Sequence, residues 1–277
     1  MSYLRNQKFN FYSSNVNKMK KHITIIFLFH FFFLFSQKGI VEYGYVESLG
    51  LGNAQGLDYN SMLIFDQNYS NYVTGKESLE KIEKITETKK VEVDGEVIAV
   101  FNGLGVTKEG NQVFYSKKDR FMLSTLYFKE VFYINDSIVN INWKITKETK
   151  KIGKFNCKKA TTNFRSRKYI AWYTIDIPVS YGPWKLQGLP GLILEAYDTD
   201  KFVYWYFKNI DYPTNSKDEV VKIDNLNFVN FLNYKEFKNI QKIKLKKIEE
   251  RNAMIMKDMP NVEITSPKLN ELFIECE

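Results

Sequence analysis

Histidine is nearly missing from this chain: 277 residues contain two, His22 and His30, and both lie ahead of Gln37. A chain that starts at Gln37 has none. That removes Ser-His and Cys-His nucleophile pairs and every histidine-ligated zinc site. Cysteine is as scarce, with Cys157 and Cys276 alone, so all-thiolate zinc and iron–sulfur sites go too. Carboxylate and Ser-Lys chemistry survive on composition. No cofactor and no metal site is expected. Long apolar runs are also rare. The one prominent run, Ile23–Phe35, has 13 residues, against about 20 for a membrane-spanning helix.

That run defines the N-terminus. Lys20 and Lys21 precede it, and Ser36 and Gln37 follow it. A basic start, an apolar stretch and a small residue make a secretory signal over residues 19–36. The first 18 residues carry no core-building pattern and read as a gene-model extension ahead of Met19. Residues 37–277 are then one domain, exported to the periplasm or associated with the outer membrane. Removing residues 1–36 takes away Arg5, Lys8, Lys18, Lys20 and Lys21 and no acid, so the formal charge falls from +8 to +3. The basic balance belongs to the targeting segment, and a nucleic-acid partner is not expected. In an oxidising compartment Cys157 and Cys276 have two fates. They can pair, closing a loop worth on the order of 4–5 kcal/mol, or stay separate as buried thiols.

What is abundant is aromatic: 16% of the chain is Phe, Trp or Tyr, which fits pleated, half-buried surfaces. Strand-like runs recur about every ten residues, from GIVEYGYVESL at Gly39 to KFVYWYFKNI at Lys201, with turn signals between them. SMLIFDQNYSNYVT (61–74) reads as a bent strand or a hairpin. No strand–helix–strand alternation appears, so the pattern predicts an antiparallel meander of eight to ten strands. KESLEKIEKITETKK (76–90) reads as a short surface helix or a charged loop. Asn233–Met259 lacks Pro and Gly and predicts a helix of about 25 residues ending at Pro260. Its QKIKLKK stretch (241–247) reads as a solvated face or an anionic-lipid contact. ELFIE (271–275) reads as a short final strand. The fold class is mainly β with a minor α part: a strongly curved antiparallel sheet, half-barrel or barrel-like, with a long helix near the C-terminus.

The six prolines are unevenly placed, with Pro178, Pro183 and Pro190 inside 13 residues. Proline removes a ladder donor, so Asp176–Gly191 predicts a structured connection between two strands. Leu189-Pro190-Gly191-Leu192 fits a type II turn, with Gly191 supplying the positive φ. Leu192, Leu194 and Ala196 then share one face of the next strand, with Ile193, Glu195 and Tyr197 on the other. The connection is either a rigid corner or a preorganised rim that offers Tyr181 and Trp184 to a ligand or partner. No Gly-Lys-Ser/Thr follows, so it is not a phosphate loop.

The hexapeptide Gly188-Leu189-Pro190-Gly191-Leu192-Ile193 resembles the signature of the GLPGLI family, exported proteins of the Bacteroidota named for it. The likeness reaches back to Trp143 through Gly153, Phe155, Cys157, Lys159 and Ala160, then Ala171–Thr174, Asp176–Val179 and Gly182-Pro183. It covers roughly Trp143 to Asp198. The resemblance implies an extracytoplasmic β-rich protein without an established activity, and no catalytic residue carries over. It also implies outer-membrane receptors or other envelope proteins as partners.

Other candidates have bland and functional readings side by side. Asp176 and Glu195 flank the signature, as a turn cap and a solvent-facing acid or as an acid–base pair. Arg165-Ser166-Arg167-Lys168 reads as a basic hairpin tip, solvated or offered to a phosphate or lipid headgroup. Aromatic strands at 172–174 and 203–207 read as core, or as the lining of a cavity for a lipid-like ligand. Together these make a non-enzymatic protein that binds a partner or an apolar ligand the first expectation. A structural accessory of an outer-membrane assembly and a histidine-free hydrolase are the alternatives.

Overall fold

Alternation in the first run sets the pattern for the whole fold. In β1 (Gly39–Glu47), Val41, Tyr43 and Tyr45 are buried while Glu42 between them is exposed. The computed structural model describes residues 38–48, 56–80, 89–93, 96–101, 106–128, 130–136, 140–218, 220, 231–259, 261 and 264–275. The signal segment 19–36, the extension before it and Cys276 lie outside the described residues. So does 81–88, the greater part of the charged stretch read as a helix or loop; its flanks form a turn at 77–79 and the strand that begins at Lys89.

β2 (Leu57–Phe65) and β3 (Tyr69–Thr74) form a hairpin whose turn Asp66 closes, its Oδ1 accepting from the backbone N–H of Asn68 and Tyr69. β4 (Lys89–Val93) and β5 (Glu96–Phe101) pair with each other as a separate ribbon. β6 (Asn111–Ser116), β7 (Phe121–Phe128) and β8 (Glu130–Asp136) meander onward. β9 (Lys144–Ile152), β10 (Phe155–Phe164) and β11 (Arg167–Thr174) do the same on the other flank. β12 (Leu192–Asp198) and β13 (Val203–Asp211) complete the middle, and the two-residue β14 (Leu232–Asn233) leads into α1 (Tyr234–Asp258). A single turn, α2 (Leu269–Leu272), precedes the last described residues.

Among the described residues one sheet holds 12 strands, in the order β14-β8-β7-β6-β3-β2-β1-β13-β12-β11-β10-β9. All its pairs are antiparallel except β14 with β8. It is rolled. β8 and β10 are separated by eight strands in this order, on the order of 40 Å across a flat sheet. Yet Asp136 at the end of β8 lies 2.7 Å from Arg165 at the β10–β11 turn. The two flanks are joined by side chains rather than by a ladder, so the sheet is an open half-barrel.

A cross-sheet row explains the interior. Ala160, Ala171, Ala196, Trp205, Tyr45 and Tyr59 are successive register partners from β10 to β2. Three small residues leave room on one flank, and three large rings fill the other. The residues between β11 and β12 turn back over this face, with Tyr181, Leu186 and Leu189 buried in the main core. α1 starts at a capping box: the Asn233 side chain accepts from Glu236 N, and the Glu236 side chain accepts from Asn233 N. Phe237 docks on Phe132 and Ile134 of β8. Most of the helix stays exposed, including Lys242, Lys246 and Lys247.

Three expectations are corrected. The sheet has more strands than eight to ten. Residues 271–272 are helical rather than strand, because α2 closes a turn with Phe273 N donating to Leu269 O. The 189–192 turn is not type II: Gly188, not Gly191, has positive φ, at 93°. Gly191 is needed for another reason, which is that a Cβ there would stand 2.0 Å from the Thr174 carbonyl oxygen.

Candidate functional site

The Arg165–Lys168 tip is solvated at Ser166 and Lys168 but not at its arginines. Arg165 and Arg167 are buried, and both face inward. Arg165 and Ser166 form a two-residue turn with φ of 51° and 60°, a left-handed pair that favours Asn-Gly. Ion pairs hold it there. Arg165 grips both oxygens of Asp136, at 2.7 and 2.8 Å, and its guanidinium lies 3.4 Å from the Tyr234 ring centroid. Lys185 Nζ reaches the same Asp136 at 3.0 Å and Glu275 at 2.6 Å. Two cations thus meet two carboxylates in a desolvated cluster, the condition under which buried charge is tolerated.

Arg167 binds a third carboxylate, Asp198, at 2.8 Å. Its remaining donors go to the C-terminal carbonyls: Nε to Ile274 O at 2.9 Å, and Nη2 to Phe273 O at 2.9 Å and to Asn270 O. Gln241 of α1 donates to Glu275 O at 2.9 Å. Residues 270–275 are therefore fastened into the mouth of the half-barrel by three cationic side chains and one amide. Sequence reasoning missed Lys185, Asp136 and Glu275 because the partners of Lys185 lie far from it in sequence. A lysine between Trp184 and Leu186 was the available signal.

Beneath this lid is a cavity of about 190 Å³, partly open to solvent. Its aromatic lining includes Tyr45, Tyr59, Tyr72, Trp184 and Trp205. Tyr45 and Trp205 stack with centroids 5.1 Å apart, and Trp205 and Trp184 at 6.0 Å. Trp205 Nε1 donates to the Tyr72 hydroxyl at 2.8 Å, locking two rings from strands three places apart. Trp184 sits at φ 53°, in the left-handed region, within a turn closed by Leu186 N donating to Pro183 O. A bulky residue held there is strained backbone at a cavity wall. β6 and β7 contribute a polar wall with Gln112, Ser124 and Thr125, and Phe273, Ile274 and Glu275 close the end.

Of the sequence-selected residues, Trp184 lines the cavity. Tyr181 does not; it packs against Phe65 and Tyr115 in the core, and burial pushes its hydroxyl well above the usual range. Leu189, Leu192 and Ile193 are core, and Pro190 is exposed. Cys157 is a buried free thiol, and burial pushes it up to about 11, which leaves it protonated and a poor nucleophile near neutrality. Glu195 is taken by Lys150, which also lies over the Trp172 ring, while Asp176 is exposed beyond β11. Among the described residues no group of three His, Cys, Asp or Glu side chains could hold a metal. No described helix is long and apolar enough to cross a membrane.

Glu47 is the acid that stands out on the cavity wall. It is half-buried, and desolvation holds its carboxyl above the usual range, against a hydrogen bond from Tyr45 and the charge of Arg167. A folded state that binds this proton more tightly than the unfolded chain gains stability at low pH. It loses that gain as pH rises from the unfolded value toward the raised one. Glu47→Gln is therefore expected to raise the melting temperature at pH 8, with a gain that shrinks toward zero near pH 4. Thermal melts at the two pH values check this; an equal gain at both would contradict it.

A rolled antiparallel sheet, an aromatic-walled cavity and a fastened C-terminal segment describe a β-rich chain. A family model described as "Protein of unknown function (Porph_ging)" matches residues 163–195, within the stretch that carries the GLPGLI resemblance. No curated protein matches the chain. Among solved structures, PNGF-II is 18% identical with a TM-score of 0.46, over 74% of this chain and 33% of that one. The chain thus spans about a third of that protein's length. A DUF1329 family protein from Desulfovibrio piger is 10% identical over 70% of this chain and 92% of that one, with a TM-score of 0.31. A LolA superfamily protein from Nitrosomonas europaea is 7% identical over 71% of this chain and 92% of that one, with a TM-score of 0.26.

Proposed function

We propose that the chain is an exported, non-enzymatic binding protein that holds a small organic ligand in the cavity of its half-barrel. The carrying observation is the cavity itself: about 190 Å³, walled by stacked aromatic rings, with a strained tryptophan at its edge. An apolar cavity of about 150 Å³ accepts benzene. The expected guest therefore has on the order of ten non-hydrogen atoms inside, or is the end of a longer lipid-like molecule whose remainder lies outside. The basic, apolar and small-residue order of residues 19–36 supports export. Against catalysis, the flanking acids are engaged or exposed and the cysteine is protonated.

Native mass spectrometry of the chain purified from an exporting host tests both parts. A start at Gln37 and an added mass that leaves on activation is the expected result. If Trp184→Ala and Trp205→Ala, once shown to be folded, retain the same added mass as the parent, the ligand sits elsewhere and the reading fails. Retention of Met19 or Met1 removes the export part.

A further inference from the structure

The charges around the cavity do not balance. Three charged side chains line it: Glu47, Lys185 and Glu275. Lys185 and Glu275 satisfy each other at 2.6 Å, within a cluster where Asp136 and Arg165 also cancel. Arg167, the cation whose field reaches Glu47, is paired to Asp198 at 2.8 Å and spends its other donors on three backbone carbonyls. Glu47 is left as the surplus charge on the wall among the described residues, and it is negative.

The groups around it have the matching character. Tyr45 is two residues before Glu47 on the same face of β1, and Tyr59 and Trp205 are the register partners of Tyr45 on either side. Tyr45 stacks on both, and Trp205 also on Trp184, so the rings form an apolar wall beside the carboxylate. A neutral hydrocarbon would leave the charge of Glu47 without a counter-ion, and an anion would be repelled by it.

Building on the binding function proposed above, we infer that the ligand is an organic cation: a primary amine or quaternary ammonium on an apolar body. Its charged end lies toward Glu47. Its body fills the space under Trp184 and the C-terminal lid.

The test uses two probes of equal size, 2-phenylethylamine and 2-phenylethanol, titrated calorimetrically into the full mature chain and into Glu47→Gln. Gln keeps the shape and hydrogen-bonding capacity of the side chain and removes the charge. The expected result is at least tenfold tighter binding of the amine than of the alcohol in the parent. In the variant that preference falls below twofold. Equal affinities in the parent, or a preference that survives in Glu47→Gln, would overturn the cation inference and leave the cavity's binding role standing. Failure of both probes to bind at millimolar concentration would overturn the two together.

Discussion

Lys185→Met should be among the most damaging single changes this fold can take. It is expected to cost 3–5 kcal/mol, the usual penalty for removing one partner of a buried ion pair. For a domain of this size that corresponds to a melting temperature lower by roughly 10 °C or more. Lys185 is 2% exposed and bridges Asp136 of β8 to Glu275 of the C-terminal lid. Methionine fills the same space but leaves Glu275 with Arg165 Nε at 3.8 Å as its remaining cation. Lys185→Met combined with Glu275→Gln removes one charge of each sign and leaves the bidentate Arg165–Asp136 pair intact. It should recover more than 1 kcal/mol of the loss, a coupling expected of groups in direct contact. Urea titrations of the parent, both singles and the double measure the cycle. A single-variant cost under 1 kcal/mol would mean that the cluster is wet and that the lid is held by other contacts.

How much of this was legible in the sequence follows from what kind of signal each part emits. Strands emit a local one. The period-two burial of β1 and the turn chemistry of Asp66 need no tertiary information, and the pattern places most strands within a few residues of their observed bounds. The helix is legible too, because Asn233 and Glu236 write its start into four residues. Curvature is less so; aromatics on both faces of 203–207 pointed to a covered sheet, but nothing local says that Asp136 meets Arg165. The charge cluster was missed for the same reason. RSRK reads as solvated because exposed basic turns are common, and only a partner 29 residues away in sequence reverses that reading. Tyr181 and Trp184 illustrate the limit within one loop. Both are aromatic and three residues apart, but the left-handed backbone at Trp184 turns its ring onto Trp205, while Tyr181 faces Phe65. Final residues are the hardest case: Glu275 matters through three contacts, none of them local.

The second large effect concerns the hexapeptide, and it separates two roles that the residues of a tight corner can share. Gly191→Ala places a methyl group 2.0 Å from Thr174 O, 2.7 Å from Thr174 C and 3.1 Å from Ile175 Cα. All three atoms are backbone, so no rotamer change relieves the clash, and the β11 exit or the β12 entry must move. Leu192, Ile193 and Leu194, each fully buried, would move with it. The expected cost is about 3 kcal/mol or more, at the upper end for overpacking. Gly188→Ala meets a different obstacle. Its φ of 93° is unfavourable for a side chain, yet the nearest atom is Trp143 Nε1 at 4.0 Å, so the cost should be the backbone term of about 1–2 kcal/mol. Pro190 is exposed, and Pro190→Ala should lose about 1 kcal/mol or less through the unfolded chain. Urea denaturation of the three variants should therefore rank them Gly191, Gly188, Pro190 from most to least destabilised. If Gly188→Ala proved worse than Gly191→Ala, the corner would be governed by dihedral strain rather than by close approach of the chain at Thr174. In the expected order, Gly191 is what allows the 175–191 connection to lie flat on β11, and that seat is what carries Trp184 and Lys185 to the cavity and the lid.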